Sequence, residues 1–284
     1  MGQYGRTVPP CSSNQVFFQA IQEESLSAVA RTHIRNQTVW ITGASSGIGR
    51  ALAVVLAEHE NHLILTSRNQ QNLTDLANSL DCPTTVIAAD ISETSSTGFL
   101  RNELDKLDEG LDMAILCAGD CEYVDSRNFD ADAIERMFKV NVFGFSRSIE
   151  SALPALRKSR KSPHIVGISS ASAITGLPRA EAYGASKAAV VSMLESLALD
   201  LFQEGIAVTT VLPGFVDTPL TQRNDFPMPF LMSSRQAANI ILKGIEAGNR
   251  RIEFPKRLIW SLRLFRMLPE NLRLKVGQRM VRLE

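Results

Sequence analysis

Short runs of Val, Ile and Leu recur along this chain at 38–42, 62–67, 85–89, 113–118, 164–169, 207–212 and 251–254. Between them, at about 47–59, 69–79, 94–107, 130–158, 181–204 and 233–248, lie longer stretches with helical periodicity. Near-continuous apolar runs are what strands buried on both faces require, and parallel strands need a crossover long enough to hold a helix. The pattern predicts an α/β fold, a doubly wound three-layer sandwich on a parallel sheet of about seven strands. In such a sheet a ligand binds beyond the carboxyl ends of the strands, where strand order reverses. Chemistry is therefore expected in the loops at 43–47, 67–69, 90–92, 118–124, 170–180 and 213–232.

With 284 residues the chain is long enough to bury a large core. No linker-like stretch divides 37–255, which are read as one domain. Residues 1–36 are read as an N-terminal extension, with one short helix around 14–31 and without the apolar run or cleavage site of a secretory signal. Lys plus Arg equals Asp plus Glu at 30 each, so no global field draws the chain to nucleic acid. Cys11, Cys82, Cys117 and Cys121 show no CxxC spacing, and His33, His59, His62 and His164 are dispersed. Reduced thiols, a cytoplasmic setting and no metal are the expectation. No run reaches 18 apolar residues, so no bilayer span is expected.

The first loop reads TGASSGIG at 42–49, after the strand TVWIT and ahead of a helix. Gly43 permits a tight turn, Gly47 lets the backbone approach a pyrophosphate, and Gly49 lets helix and sheet pack closely. Ser45, Ser46 and Ile48 complete the loop, and the free N–H groups of the helix face the anion. The second strand ends without an acidic residue that would accept bonds from a ribose 2′-hydroxyl. Ser67 and Arg68 follow instead, and a guanidinium can clamp a 2′-phosphate. NADP(H) is expected ahead of NAD(H).

Tyr183 and Lys187 stand four apart in YGASK, on one face of a helix. A cation beside a phenol favours phenolate, so the phenol's pKa is expected to lie below its usual value of about 10. That would make Tyr183 a usable acid near neutrality.

Ser170 in IVGISS lies 13 residues before Tyr183, and the glycine loop lies further upstream. As a set, these motifs resemble the short-chain dehydrogenase/reductase family, in the shorter type built on one nucleotide-binding domain with a Rossmann-like fold. The resemblance spans roughly 36–255. It implies that Tyr183 gives the proton, Ser170 bonds the substrate oxygen, and Lys187 holds the tyrosine and the nicotinamide ribose. It also implies that Asn141 in VNVFG props open the long helix for a water linked to Lys187. The spacing of 13 selects Ser170 over Ser169, which strand alternation turns to the other face. By the same resemblance Asp90 and Ile91 meet the adenine, Ala118 and Gly119 flank the adenosine ribose, and Pro213, Gly214, Val216 and Thr218 of PGFVDTP run beside the nicotinamide. Leu116 and Cys117 depart from the family's NNAG at its two asparagines, which puts some steadying of the central sheet in question.

Phe226, Met228, Phe230, Leu231 and Met232 in the last loop suggest either a lid over an apolar small-molecule carbonyl or alcohol, or core packing. Residues 256–284 form a basic, amphipathic C-terminal tail with eight Lys or Arg against Glu270 and Glu284. Helices broken at Pro269 would group Leu258, Leu262 and Phe265. Such a tail suits an anionic membrane surface, packing over the substrate site, or a subunit contact. Homo-oligomers are expected from the resemblance. Two other functions stay open: a catalytically silent NADP-binding scaffold or sensor, and a peripheral membrane protein acting through the tail.

Overall fold

The computed structural model describes residues 34–280. The helix expected around 14–31, and with it Cys11 and His33, lies outside the described residues. Seven parallel strands form one sheet: β1 Thr38–Thr42, β2 His62–Ser67, β3 Thr84–Ala88, β4 Met113–Leu116, β5 His164–Ile168, β6 Ala207–Pro213 and β9 Arg251–Phe254. Their order is β3-β2-β1-β4-β5-β6-β9, so the direction of winding reverses between β1 and β4. The protein is a doubly wound Rossmann-like α/β sandwich.

The crossovers carry α1 Gly47–Ala57, α2 Gln70–Asn78, α3 Thr94–Asp105, α4 Ala131–Phe138, α5 Phe145–Lys158, α6 Glu181–Asp200 and α7 Ser234–Glu246, and α8 Lys256–Met267 and α9 Glu270–Gln278 follow β9. Alternation along the strands builds two apolar layers. Val39, Ile41, Leu63, Leu65, Ile115 and Val166 face Leu52 and Leu56 of α1 and Ile241 and Ile245 of α7. Trp40, Ile64, Ala114 and Ile165 face Leu100 and Leu104 of α3, Ile149 of α5 and Leu194 of α6. Each large aliphatic side chain so buried stabilises the fold by roughly 1.5–3 kcal/mol relative to exposure.

Two departures from the sequence reading have local causes. The helix expected over 130–158 is broken by a π-helical turn at Lys139–Gly144 that carries Asn141. Widened turns of this kind recur at functional sites, and hydrophobic periodicity does not signal them. A two-strand pairing of β7 Val216–Asp217 with β8 Met232–Ser233 also forms, joining the two ends of the last loop. Strands this short carry too little pattern to be read.

The tail does not stand apart from the sheet. α8 buries Leu258, Ile259 and Leu262 against Ala171, Ile174 and Leu212. Arg263 bonds both oxygens of Glu253 at 2.8 Å. Two of the three apolar positions grouped in the sequence reading thus face protein.

Candidate active site

At the reversal point, beyond the ends of β1 and β4, a crevice of about 300 Å³ opens. Gly43, Ser45, Ser46, Gly47, Ile48, Ser67, Arg68, Asp90, Ile91, Ala118, Gly119, Ser170, Tyr183, Lys187, Pro213, Gly214, Val216 and Thr218 all line it. Gly49 and Asn141 stand behind the wall. Gly49 packs against the carbonyl of Gly43, and Asn141 acts on the floor through its neighbours.

The glycine loop works as a turn. Gly43 has φ 68°, and a Cβ there would lie 2.7 Å from Ala118 Cα. Thr218, from the last loop, closes against Gly47 with its Cγ2 3.0 Å from the Cβ position. Where the sequence lacks the family's asparagines, Thr42 of β1 steadies the β4 loop. Its Oγ1 accepts from Cys117 N at 3.1 Å and from Ala118 N at 3.3 Å.

Along the outer arm, Arg68 is exposed and has no acidic partner among the described residues. Asn69, which sequence reasoning passed over, lines the crevice beside it and caps α2 by accepting from Asn72 N. Asp90 does turn work as well, since its Oδ1 accepts from Ser92 N at 2.9 Å. Ile91 is largely buried against Gly144 of the widened turn.

At the inner end, Lys187 and Ser170 are both buried, and the Tyr183 phenol shares a hydrogen bond with Ser170. Lys187 Nζ sits 5.8 Å from the centroid of the Tyr183 ring and donates to Ile168 O at 3.2 Å. Ser169 points the other way, and its hydroxyl donates to the Lys187 carbonyl at 2.8 Å. Asn141 accepts from Asp120 N at 2.9 Å and donates to Asp120 O at 2.9 Å and to Ser186 Oγ at 3.0 Å. Between them lies Gly119, where a Cβ would be 3.0 Å from Asn141 Oδ1 and 3.1 Å from Lys187 Nζ.

The electrostatics correct one expectation. The Tyr183 phenol lies well above its ordinary pKa, chiefly because it is buried, with the Cys121 and Cys117 thiols adding to the rise and the Ser170 hydrogen bond opposing it. Burial also lowers the pKa of Lys187. The lysine cation lies over the ring, and desolvation outweighs the one opposing contribution, from Ser170. Tyr183 is thus held protonated through the neutral range. Cys117 and Cys121 are pushed up to about 11 by the same burial.

The last loop splits by side chain. Phe226 turns inward, edge-on to Tyr123 at 5.4 Å and to Phe215 at 6.0 Å, while Phe230 and Leu231 are exposed. Four consecutive residues fasten the loop. Arg223 pairs with Asp120 at 3.3 Å, Asn224 accepts from the Tyr123 hydroxyl at 2.8 Å, Asp225 pairs with Arg179 at 3.0 Å, and Phe226 packs on Tyr123. Sequence reasoning missed Asp120, Tyr123 and Arg179. Their partners lie 46–103 residues away, and no local pattern links them.

The sequence profile described as short chain dehydrogenase matches residues 37–227. The chain belongs to the short chain dehydrogenase family. An uncharacterized oxidoreductase of Myxococcus xanthus is 34% identical over 239 residues, which is 83% of this chain and 94% of that protein. An uncharacterized oxidoreductase of Staphylococcus epidermidis is 32% identical over 194 residues, covering 68% of this chain and 84% of its own length. A Burkholderia cenocepacia short chain dehydrogenase solved in complex with NADP shares the fold at a TM-score of 0.75. It is 22% identical and covers 89% of this chain and 100% of its own. As a member of the short chain dehydrogenase family, the protein is an oxidoreductase.

Proposed function

We propose that this short chain dehydrogenase interconverts a carbonyl and an alcohol on an apolar small molecule, using NADP(H), with Tyr183 as general acid and base. The observation that carries the reading is a half-buried Tyr183 phenol, held protonated, standing with buried Ser170 and Lys187 at the inner end of a crevice whose outer arm presents Arg68.

A dinucleotide fits the residues present. The lack of side chains at Gly43, Gly47 and Gly119 leaves a cradle for backbone approach, and the start of α1 offers N–H groups to a pyrophosphate. Arg68 would hold a 2′-phosphate, and β2 ends with no acid to repel it. When bound, the nicotinamide supplies hydride.

The chain's own residues do the rest. Ser170 donates a hydrogen bond to the substrate oxygen, and Tyr183 delivers a proton to that oxygen as negative charge grows on it. Lys187 binds ribose hydroxyls and screens the phenolate left after transfer. Asn141 is a positioning residue, holding Gly119 beside Lys187 through Asp120. Phe215 and Phe226 give the substrate side an apolar wall.

NADPH consumption measured across carbonyls of increasing chain length should detect turnover that rises with apolar length. Tyr183→Phe should lower kcat by about 10²–10⁴-fold while leaving NADPH affinity and thermal unfolding unchanged. NADPH binding with no turnover on any carbonyl would favour a silent scaffold, and a Tyr183→Phe variant keeping a tenth of the rate would place the acid elsewhere.

A further inference from the structure

We propose that the outer face of α8 and α9 docks the protein on an anionic lipid surface. α8 is apolar on two sides. Leu258, Ile259 and Leu262 face the body, whereas Trp260, Leu264 and Met267, spaced i, i+4 and i+7, form a second stripe on the opposite side, 67%, 65% and 81% exposed. α9 buries no residue and adds Leu272, Leu274 and Val276, with Met280 just beyond it. Of the 15 exposed large hydrophobic residues among the described residues, seven fall within 256–280, a concentration above the single scattered residues normal on a protein surface.

Charge selects the occupant. Lys256, Arg257, Lys275 and Arg279 have no acidic partner among the described residues. Eight of the 30 Lys and Arg lie in 256–284 but only two of the 30 Asp and Glu, which leaves 22 against 28 in the rest of the chain. A two-fold contact through this face would set cations against cations. An anionic bilayer attracts the tail, repels the acidic body, and so fixes which side docks. Trp with flanking Lys and Arg is also the composition favoured at the headgroup level. The inner side of α8 packs on the loop after Ser170, and Arg266 donates to Ile174 O at 2.9 Å, so docking would hold the substrate side of the crevice next to lipid.

The chain carries its own probe. Of two tryptophans, Trp40 is fully buried and bonded to Thr66, while Trp260 is exposed. The full chain should float with phosphatidylglycerol-containing vesicles, and its emission should shift to the blue, a shift absent in Trp260→Phe. Each cation near such a surface changes partition roughly fivefold, so Lys275→Glu with Arg279→Glu should weaken it by at least about tenfold, as should high salt. Leu264→Glu with Met267→Glu should abolish it. These side chains are exposed, so thermal unfolding should stay at the wild-type value in every variant. Failure to float, or equal partition into pure phosphatidylcholine vesicles, would overturn the proposal. So would a lipid-free change of molar mass in the Leu264→Glu and Met267→Glu variant, which would make the face an interface between copies. None of these readouts depends on turnover, so they stand apart from the carbonyl reading.

Discussion

Arg68 shows how much a single residue at a strand end decides. It follows the last residue of β2, projects from a loop whose other contacts are a cap by Asn69 and a bond from Ser67 Oγ to Asn69 O, and lacks an acidic partner among the described residues. A free guanidinium there gains charge-assisted bonds from a phosphate without first breaking an ion pair. Arg68→Ala should raise KM for NADPH by about 10–100-fold, the loss of one such bond at about 1.5–3 kcal/mol, and leave KM for NADH nearly unchanged. Steady-state kinetics with both cofactors checks this. Tyr183 and Lys187 carry the opposite lesson. Their spacing is plain in the sequence, yet the direction of the phenol's shift is set by burial, which spacing does not report.

At the scale of elements, the last loop is held by contacts of unequal worth. Arg223–Asp120 and Arg179–Asp225 are largely exposed and contribute about 0–1 kcal/mol each. The half-buried Tyr123 matters more, because its ring packs on Phe226 and its hydroxyl donates to Asn224, with the Arg179 guanidinium 5.5 Å over the ring. Tyr123→Phe keeps the ring and removes one hydrogen bond worth about 1 kcal/mol. KM for the carbonyl should rise about fivefold with kcat unchanged and the melting temperature lowered by no more than about 2–4 °C. An unaltered KM would show that the loop shapes the substrate side without this bond. The widened turn at Lys139–Gly144 is the other element with a task, since it brings Asn141 to Asp120 and Ser186 at once.

For the molecule as a whole, His164 links the sheet to pH. It opens β5, is 1% exposed, shares a hydrogen bond with Thr209 at 2.9 Å, and has its pKa pushed down to about 4 by burial. The unfolded chain therefore binds a proton near pH 6.5 that the folded chain refuses until about pH 4. Stability from this group is complete above pH 6.5 and declines as pH falls to 4, by on the order of 3 kcal/mol in all. Chemical denaturation at several pH values should show that slope, and His164→Asn should flatten it.

The order of strands and helices, the glycine loop, the meeting of Ser170, Tyr183 and Lys187 at one crevice, and the helix break at Pro269 were all legible in the sequence, because each is written in spacing or in local backbone preference. The widened turn, the anchors of the last loop and the burial of Leu258 and Leu262 were not. Those depend on residues brought together from distant parts of the chain, and desolvation, which moves the Tyr183 and His164 pKa values, exists only once the chain has packed.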